Sequence, residues 1–114
     1  MSLATVQTRA KLGIQAPSVS VEVHLSNGLP SFHIVGLPET AVKESKDRVR
    51  SAIINSHFEF PARRITINLA PAELPKEGSR FDLAIAIGML VAFNQIPSDL
   101  LHQYELIGEL ALAN

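Results

Sequence analysis

The loop before the second predicted helix holds the residues best suited to chemistry. It reads PKEGSR over residues 75–80. A glycine-containing turn that leads into a helix offers free backbone N–H groups and the positive end of the helix dipole, which suit an anion or an oxyanion. Ser79 could act as a nucleophile if Lys76 lay close enough to serve as its base. We favour a helix cap, because serine is a preferred capping residue and the chain supplies no obvious base.

Positive charge is concentrated in the middle of the chain. Eight of the ten basic residues lie between Lys43 and Arg80, with five of the eleven acidic residues, although the formal net charge is −1. Such a local excess points to a polyanionic partner, and the alternative is a solvated helix face with scattered surface charge. The candidate nucleic-acid contacts are Lys43, Lys46, Arg50, Arg63, Arg64, Lys76 and Arg80.

The aromatic residues favour one kind of nucleic-acid contact over another. The chain has no tryptophan, its one tyrosine is Tyr104, and most of its five phenylalanines have the pattern of core residues. Base stacking needs exposed aromatic platforms, so this composition argues against single-strand recognition through the bases. Contact with the phosphate backbone remains.

Metal and cofactor motifs are absent from the sequence. Cysteine is missing, and the four histidines lack metal-binding spacing, although His24, His33 and Glu22 would share one face of the hairpin predicted below. A metal site there is conceivable, but an exposed Glu22–His33 cross-strand pair is the simpler interpretation. No phosphate-binding glycine motif occurs either. We therefore predict no metal, no cofactor and no catalytic residue in this chain.

Composition predicts one globular domain. The chain has 114 residues, of which 46% are hydrophobic and 18% charged, enough for a real core. The N-terminus has no secretion signal. The longest apolar stretch, Phe81 to Phe93, is shorter than the about 20 residues that a membrane span needs, so it predicts a buried helix. We expect a cytoplasmic protein without a membrane partner.

Alternating apolar residues predict strands in the first third of the chain. Residues 6–12 and 19–25 alternate with period two, as half-buried strands do. Asn27-Gly28 then marks a two-residue hairpin turn, since a type I′ turn needs positive φ at both central residues. Pairing across this turn sets Val23 opposite Phe32 and keeps the apolar side chains on one face.

Two helices and two more strands complete the predicted order. Apolar and small residues at helical spacing predict a helix from Pro38 to near His57, and residues 64–69 alternate as a strand. The second helix starts at Ser79, where Asp82 completes a capping-box pattern. It is apolar almost all round and should be much more buried than the first helix.

The last segment, Tyr104 to Leu112, reads as a final strand. The order β-β-β-α-β-α-β predicts an α+β domain with a mixed sheet and two packed helices. Because nothing after Asn114 would cover that strand, we expect the chain to be a piece of a longer protein.

Two stretches carry a resemblance to a known family. Residues 36–53, GLPETAVKESKDRVRSAI, and residues 60–90, FPARRITINLAPAELPKEGSRFDLAIAIGML, closely resemble the N-terminal domain of the magnesium-chelatase-like AAA+ family of ComM and YifB proteins. The resemblance covers nearly all of the chain. It implies a Lon-protease-like domain of the ribosomal protein S5 domain 2 type over residues 1–114.

The same resemblance makes residues 75–80 a degenerate peptidase loop. In Lon peptidases the corresponding loop is similar to PKDGPSAG, with the nucleophilic serine in sixth place. Aligned on Lys76 and Gly78, that place is Arg80 here, and Ser79 comes one residue early. A guanidinium cannot be deprotonated to attack, so peptidase activity is not expected. The peptidase lysine would lie beyond Asn114.

For function, the resemblance implies a non-catalytic accessory domain of a ring-forming DNA motor. ATP and Mg²⁺ would bind the ATPase domain that follows in the family, and ComM-type members act as helicases in branch migration during natural transformation. The partners implied are DNA and the other subunits of a hexameric ring. The alternatives are a Ser/Lys peptidase that uses Ser79 and a module that serves only subunit interaction.

Overall fold

Four strands and two α-helices form the part of the chain that the structure describes. The computed structural model describes residues 2–76, 78–99 and 101–112, so Glu77 of the candidate loop lies outside the described residues. The α+β class predicted from the sequence is confirmed. In chain order the elements are β1 (Ser2–Arg9), β2 (Ser18–Ser26), β3 (Ser31–Val35), α1 (Glu39–Asn55), β4 (Arg64–Ala70) and α2 (Asp82–Ala92), followed by a short 3₁₀ turn at Leu101–Gln103.

The four strands form one mixed sheet in the order β1-β2-β4-β3. β2 pairs antiparallel with β1 on one side and with β4 on the other, whereas β3 runs parallel to β4. The parallel neighbours β3 and β4 are the two strands separated by α1, as expected for a helical crossover.

The predicted hairpin between β2 and β3 is wrong. β4 lies between them, with Ile67 opposite Val23 on one side and opposite Ile34 on the other. Only Gly28 of the Asn27-Gly28 pair has a positive φ, +138°, so the turn is not of type I′. The alternation of apolar residues fixes which face of the sheet a side chain occupies. Alternation does not fix which strand lies beside it. β3 keeps its predicted buried face, but it is separated from β2 by β4.

Both helices cover the apolar face of this sheet. α2 packs against β1 and β2 and is buried at eight of its eleven residues, whereas α1 packs against α2 and buries only Ser45, Val49 and Ile53. The predicted difference in burial between the two helices is therefore confirmed. The opposite face of the sheet carries polar side chains that are exposed or half-buried.

The final strand predicted over Tyr104 to Leu112 is also wrong. This segment makes one isolated bridge, between Glu105 and Gln7 of β1. Beyond it the chain leaves the sheet edge and bonds to the start of α2: the Gly108 N–H donates to the Arg80 carbonyl, and the Gly108 carbonyl accepts from the Leu83 N–H, both at 3.0 Å. Because these groups serve the helix, they cannot continue a strand ladder.

Candidate functional site

Ser79 does not cap α2. Its hydroxyl donates to the carboxylate of Glu109, and the residue at the helix N-cap, Phe81, makes no side-chain cap hydrogen bond. The N–H of Leu83, which a cap would otherwise satisfy, bonds to the Gly108 carbonyl instead. The segment after the 3₁₀ turn thus satisfies an N–H at the start of α2, which is the capping role predicted for Ser79.

Lys76 is withdrawn from solvent. Its side chain is buried, and its ammonium donates to the carbonyls of Pro71 at 2.5 Å and Leu74 at 2.9 Å. Burial lowers the pKa of Lys76 from its ordinary value, against the opposing effect of the Glu73 carboxylate. A side chain held in this way closes its own loop. It is unsuited to a contact with DNA, so we leave Lys76 out of the interface proposed below.

Arg80 lines a cleft beside Ser79. The cleft has a volume of about 540 Å³ and is bounded also by Lys11, Gly78, Ile107 and Glu109. The group next to the Ser79 hydroxyl is thus a carboxylate, which is a weaker base than an amine or an imidazole. Lys76 bonds to carbonyls of its own loop. The cleft therefore brings together a hydroxyl, a carboxylate, a guanidinium and the exposed amine of Lys11, and the Ser79 hydroxyl bonds to the carboxylate rather than to an amine.

Asp82 joins three parts of the molecule, whereas the sequence analysis predicted it as part of a capping box with Ser79. Its buried carboxylate accepts from Nε of Arg48 at 2.6 Å and from Oγ of Ser45 at 2.9 Å, both on α1. It also accepts from the backbone N–H of Leu110 at 3.2 Å. The hydrogen bond to Asp82 raises the pKa of Arg48. A lone carboxylate in an otherwise apolar helix was the signal for such a partner, since buried charges are paired.

Three of the predicted basic residues converge at the free edge of β3. Lys46 donates to the Phe32 carbonyl at 3.0 Å, and the guanidinium carbon of Arg50 lies 5.0 Å from the centre of the Phe60 ring. The guanidinium carbon of Arg63 lies 5.7 Å from the centre of the Phe93 ring. Arg50 and Arg63 line the same cavity of about 290 Å³. In residues 2–76, 78–99 and 101–112, Lys46, Arg50 and Arg63 form no ion pair with a carboxylate.

The structure places the remaining basic candidates elsewhere. Lys43 is exposed on α1, one turn before Lys46. Arg64 follows Arg63 in the chain but belongs to the polar face of the sheet, in the row of Ser26 and Ser31. The seven candidates therefore divide into the edge group at β3, Lys43 on α1, Arg64 on the polar face of the sheet, and Lys76 and Arg80 in the loop before α2.

The histidine cluster imagined on the hairpin does not form as predicted. His24 and His33 lie on opposite sides of β4, each opposite Thr66, and Glu22 accepts a hydrogen bond from Nδ2 of Asn68 at 2.9 Å rather than facing His33. In the described ranges, no three His, Asp or Glu side chains are arranged to hold a metal ion. No helix among those described has the length and apolar character to cross a membrane.

Comparison with known proteins finds close relatives. Residues 21–114 match the family described as subunit ChlI of Mg-chelatase. Over 112 residues the chain is 65% identical to the uncharacterized protein YifB of Salmonella typhimurium, 64% identical to YifB of Escherichia coli and 62% identical to competence protein ComM of Haemophilus influenzae. Each alignment covers 98% of this chain, which spans 22% of the length of each relative.

Proposed function

The chain belongs to the family of the Mg-chelatase subunit ChlI, and from this premise we propose that it is a non-catalytic accessory domain of a ComM/YifB-type AAA+ ATPase. In this proposal residues 1–114 form an N-terminal, Lon-protease-like domain of the S5 domain 2 type in a cytoplasmic protein. ATP and Mg²⁺ bind a following domain, which assembles the hexameric ring. This domain contacts DNA through its phosphates.

The observation that carries the proposal is the positive charge at the β3 edge, which no carboxylate among the described residues pairs with. Lys46, Arg50 and Arg63 come from two separate stretches of the chain, and each lies against an aromatic ring, those of Phe32, Phe60 and Phe93 in turn. Charged side chains gathered without carboxylate partners create a local potential that attracts a polyanion. A relative named competence protein gives DNA as the polyanion to test.

The loop before α2 supports the non-catalytic part of the proposal. Aligned with the Lon loop, Arg80 falls at the place of the nucleophile, and in the structure Ser79 bonds to Glu109. The pKa of Lys76 is lowered by burial, a property of many catalytic lysines, but its ammonium bonds to two backbone carbonyls. A Ser/Lys peptidase would need that ammonium to be released and turned towards Ser79.

Salt-dependent binding to duplex DNA tests the proposal. Each phosphate contact lowers the slope of log K against log salt by about 0.9 for duplex DNA. We expect Arg63→Ala to reduce the magnitude of the slope by about 1, and Arg50→Ala with Arg63→Ala to reduce it by about 2. Fluorescence anisotropy of a labelled duplex, measured with the purified chain over a series of salt concentrations, gives these slopes.

Lys11→Ala is the matched control, because it removes one exposed positive charge just after β1, which lies at the opposite edge of the sheet from β3. It should leave the slope unchanged. A slope unaffected by the two arginine substitutions, or no binding at low salt, would overturn the DNA contact. The second result would favour the subunit-interaction module, for which the apolar cavity of about 680 Å³ beside Leu83, Ile87 and Leu106 is the specific observation.

A further inference from the structure

The cavity at the β3 edge combines aromatic and cationic groups. Phe32 and Phe60 pack with their ring centres 5.7 Å apart and their planes at 43°, and the Arg50 guanidinium lies over the Phe60 ring. Arg63 and Pro61 also line this cavity. We call these four side chains, Phe32, Phe60, Arg50 and Arg63, the Phe–Arg cleft.

Two arginines line the cleft in different surroundings, Arg50 over the Phe60 ring and Arg63 beside the Phe93 ring. Arg50 is exposed and rests on Phe60, so its planar guanidinium offers a surface on which a flat ring can stack. Arg63 adds a second fork of N–H donors, whose geometry matches a phosphate. A ligand that uses both has a π face and a phosphate in close succession.

Duplex DNA does not present that combination, because its bases are paired and stacked inside the helix. A single strand does, since its bases can turn outwards onto an aromatic ring or a guanidinium while its phosphates follow a basic groove. We propose that the Phe–Arg cleft binds an unstacked base and the adjoining phosphate of single-stranded DNA. This inference rests on the DNA contact proposed above and names the form of DNA that the β3 edge prefers.

A peptide adding to the free edge of β3 is the competing occupant. Strand addition needs the outward-facing backbone groups of an edge strand. The N–H of Ser31 points towards β4, where it bonds to the Arg63 carbonyl. The backbone N–H and carbonyl of the next residue, Phe32, therefore point away from β4. The outward carbonyl of Phe32 already accepts from Lys46. That contact obstructs a peptide strand, while Arg50 stays exposed and Phe60 and Arg63 stay half-buried.

The sequence argued against base stacking because most phenylalanines have the pattern of core residues. In the structure Phe60 packs against the core but is only half-buried, and it lines the cleft with Phe32 and Arg50. Phe60 precedes Pro61 in the loop between α1 and β4, where no periodic pattern distinguishes a core residue from one that lines a surface cleft.

Three labelled oligonucleotides of equal length test the inference: a thymine single strand, the same strand with abasic sites in place of the bases, and a duplex. In fluorescence anisotropy with the purified chain, we expect the thymine strand to bind about tenfold more tightly than the abasic strand, which carries the same charge. Phe60→Leu keeps an apolar side chain but removes the ring. It should weaken binding of the thymine strand about tenfold and change duplex binding less than twofold.

Arg50→Lys supplies the same test without altering the core, because lysine keeps the charge and lacks the planar group. It should reproduce the selective loss, while Lys11→Ala should change neither affinity. Equal binding of the thymine and abasic strands, or equal losses on single strand and duplex, would overturn the inference and leave the proposed DNA contact standing. Absence of binding to every DNA would overturn both. Binding of a glutamate-rich peptide that Phe60→Leu abolishes, with no single-strand preference, would replace DNA by an acidic peptide.

Discussion

At the scale of single residues, the loop before α2 is organised around a buried ammonium. Lys76 is 4% exposed, and the carbonyls that it bonds, those of Pro71 and Leu74, belong to its own loop. An amine in this position holds the turn closed at a cost in desolvation, which is why its pKa falls. Lys76, which the sequence suggested as a candidate base or phosphate contact, thus stabilises the conformation of its own loop.

This environment predicts how stability depends on pH. The folded-state pKa of Lys76 lies below the unfolded value of 10.5, so between the two values the unfolded chain binds more protons. The free energy of unfolding should therefore rise with pH across that window, relative to Lys76→Met, which has no proton to lose. The rise is about 1.4 kcal/mol for each unit by which the pKa is lowered.

Urea denaturation of both proteins, from neutral pH up to about 10.5, measures the difference. Lys43→Met is the matched control, since Lys43 is exposed, and its difference from the unsubstituted chain should stay flat. A difference for Lys76→Met that is flat or falls with pH would contradict the burial argument.

At the scale of elements, α2 approaches the sheet so closely that its glycine has a packing role. A Cβ built on Gly88 would lie 2.7 Å from Cγ2 of Val23 on β2 and 3.3 Å from Cγ2 of Val6 on β1. Helix propensity alone favours alanine over glycine by about 1 kcal/mol. Here packing opposes propensity, because the sheet cannot recede from a helix that is buried on so many sides.

We therefore expect Gly88→Ala to lower the free energy of unfolding by about 1–3 kcal/mol, the usual cost of overpacking a core. Chemical denaturation measures it. The double-mutant cycle with Val23→Ala is the control: removing Cγ2 should relieve the clash, so the double variant should lose less stability than the sum of the two single variants. A Gly88→Ala protein that is more stable than the original would show that propensity decides at this position.

At the scale of the whole molecule, Asp82 ties the two helices and the last described segment together. Arg48 and Ser45 reach it from α1, and the Leu110 backbone reaches it from the segment that follows the 3₁₀ turn. Arg9 and Glu105 form a second tie, an exposed ion pair between β1 and the same segment. Removing one partner of a buried ion pair leaves an uncompensated charge, whereas an exposed pair contributes little.

Asp82→Ala should accordingly lower the free energy of unfolding by about 3–5 kcal/mol. It should also speed hydrogen exchange at the Leu110 amide, which donates to Asp82. A general loss of stability would instead speed exchange throughout the chain. Asp99→Ala, at an exposed carboxylate, is the matched control and should stay within about 0.5 kcal/mol. Replacing both partners, Arg48→Met with Asp82→Leu, should cost less than Asp82→Ala alone. A loss below about 1 kcal/mol for Asp82→Ala would contradict the role of the tie.

The sequence by itself determined four of the strands, both helices and the buried faces of these elements, but not the end of the chain, where the predicted final strand does not form. Its period-two alternation identified β2 and β4 and the buried residues Val23 and Ile67, and its helical periodicity identified α1 and the more buried α2, because local chain geometry repeats with those periods. The resemblance carried by residues 36–53 and 60–90 gave the family.

The tertiary structure alone decided which elements are neighbours. A face can be satisfied by more than one partner strand, so alternation could not say that β4 separates β2 from β3. Nor could local spacing say that the Leu83 N–H would find Gly108 instead of Ser79, or that Arg50 would rest on Phe60. These contacts join residues far apart in the chain, and their free energy depends on the assembled core rather than on any one segment.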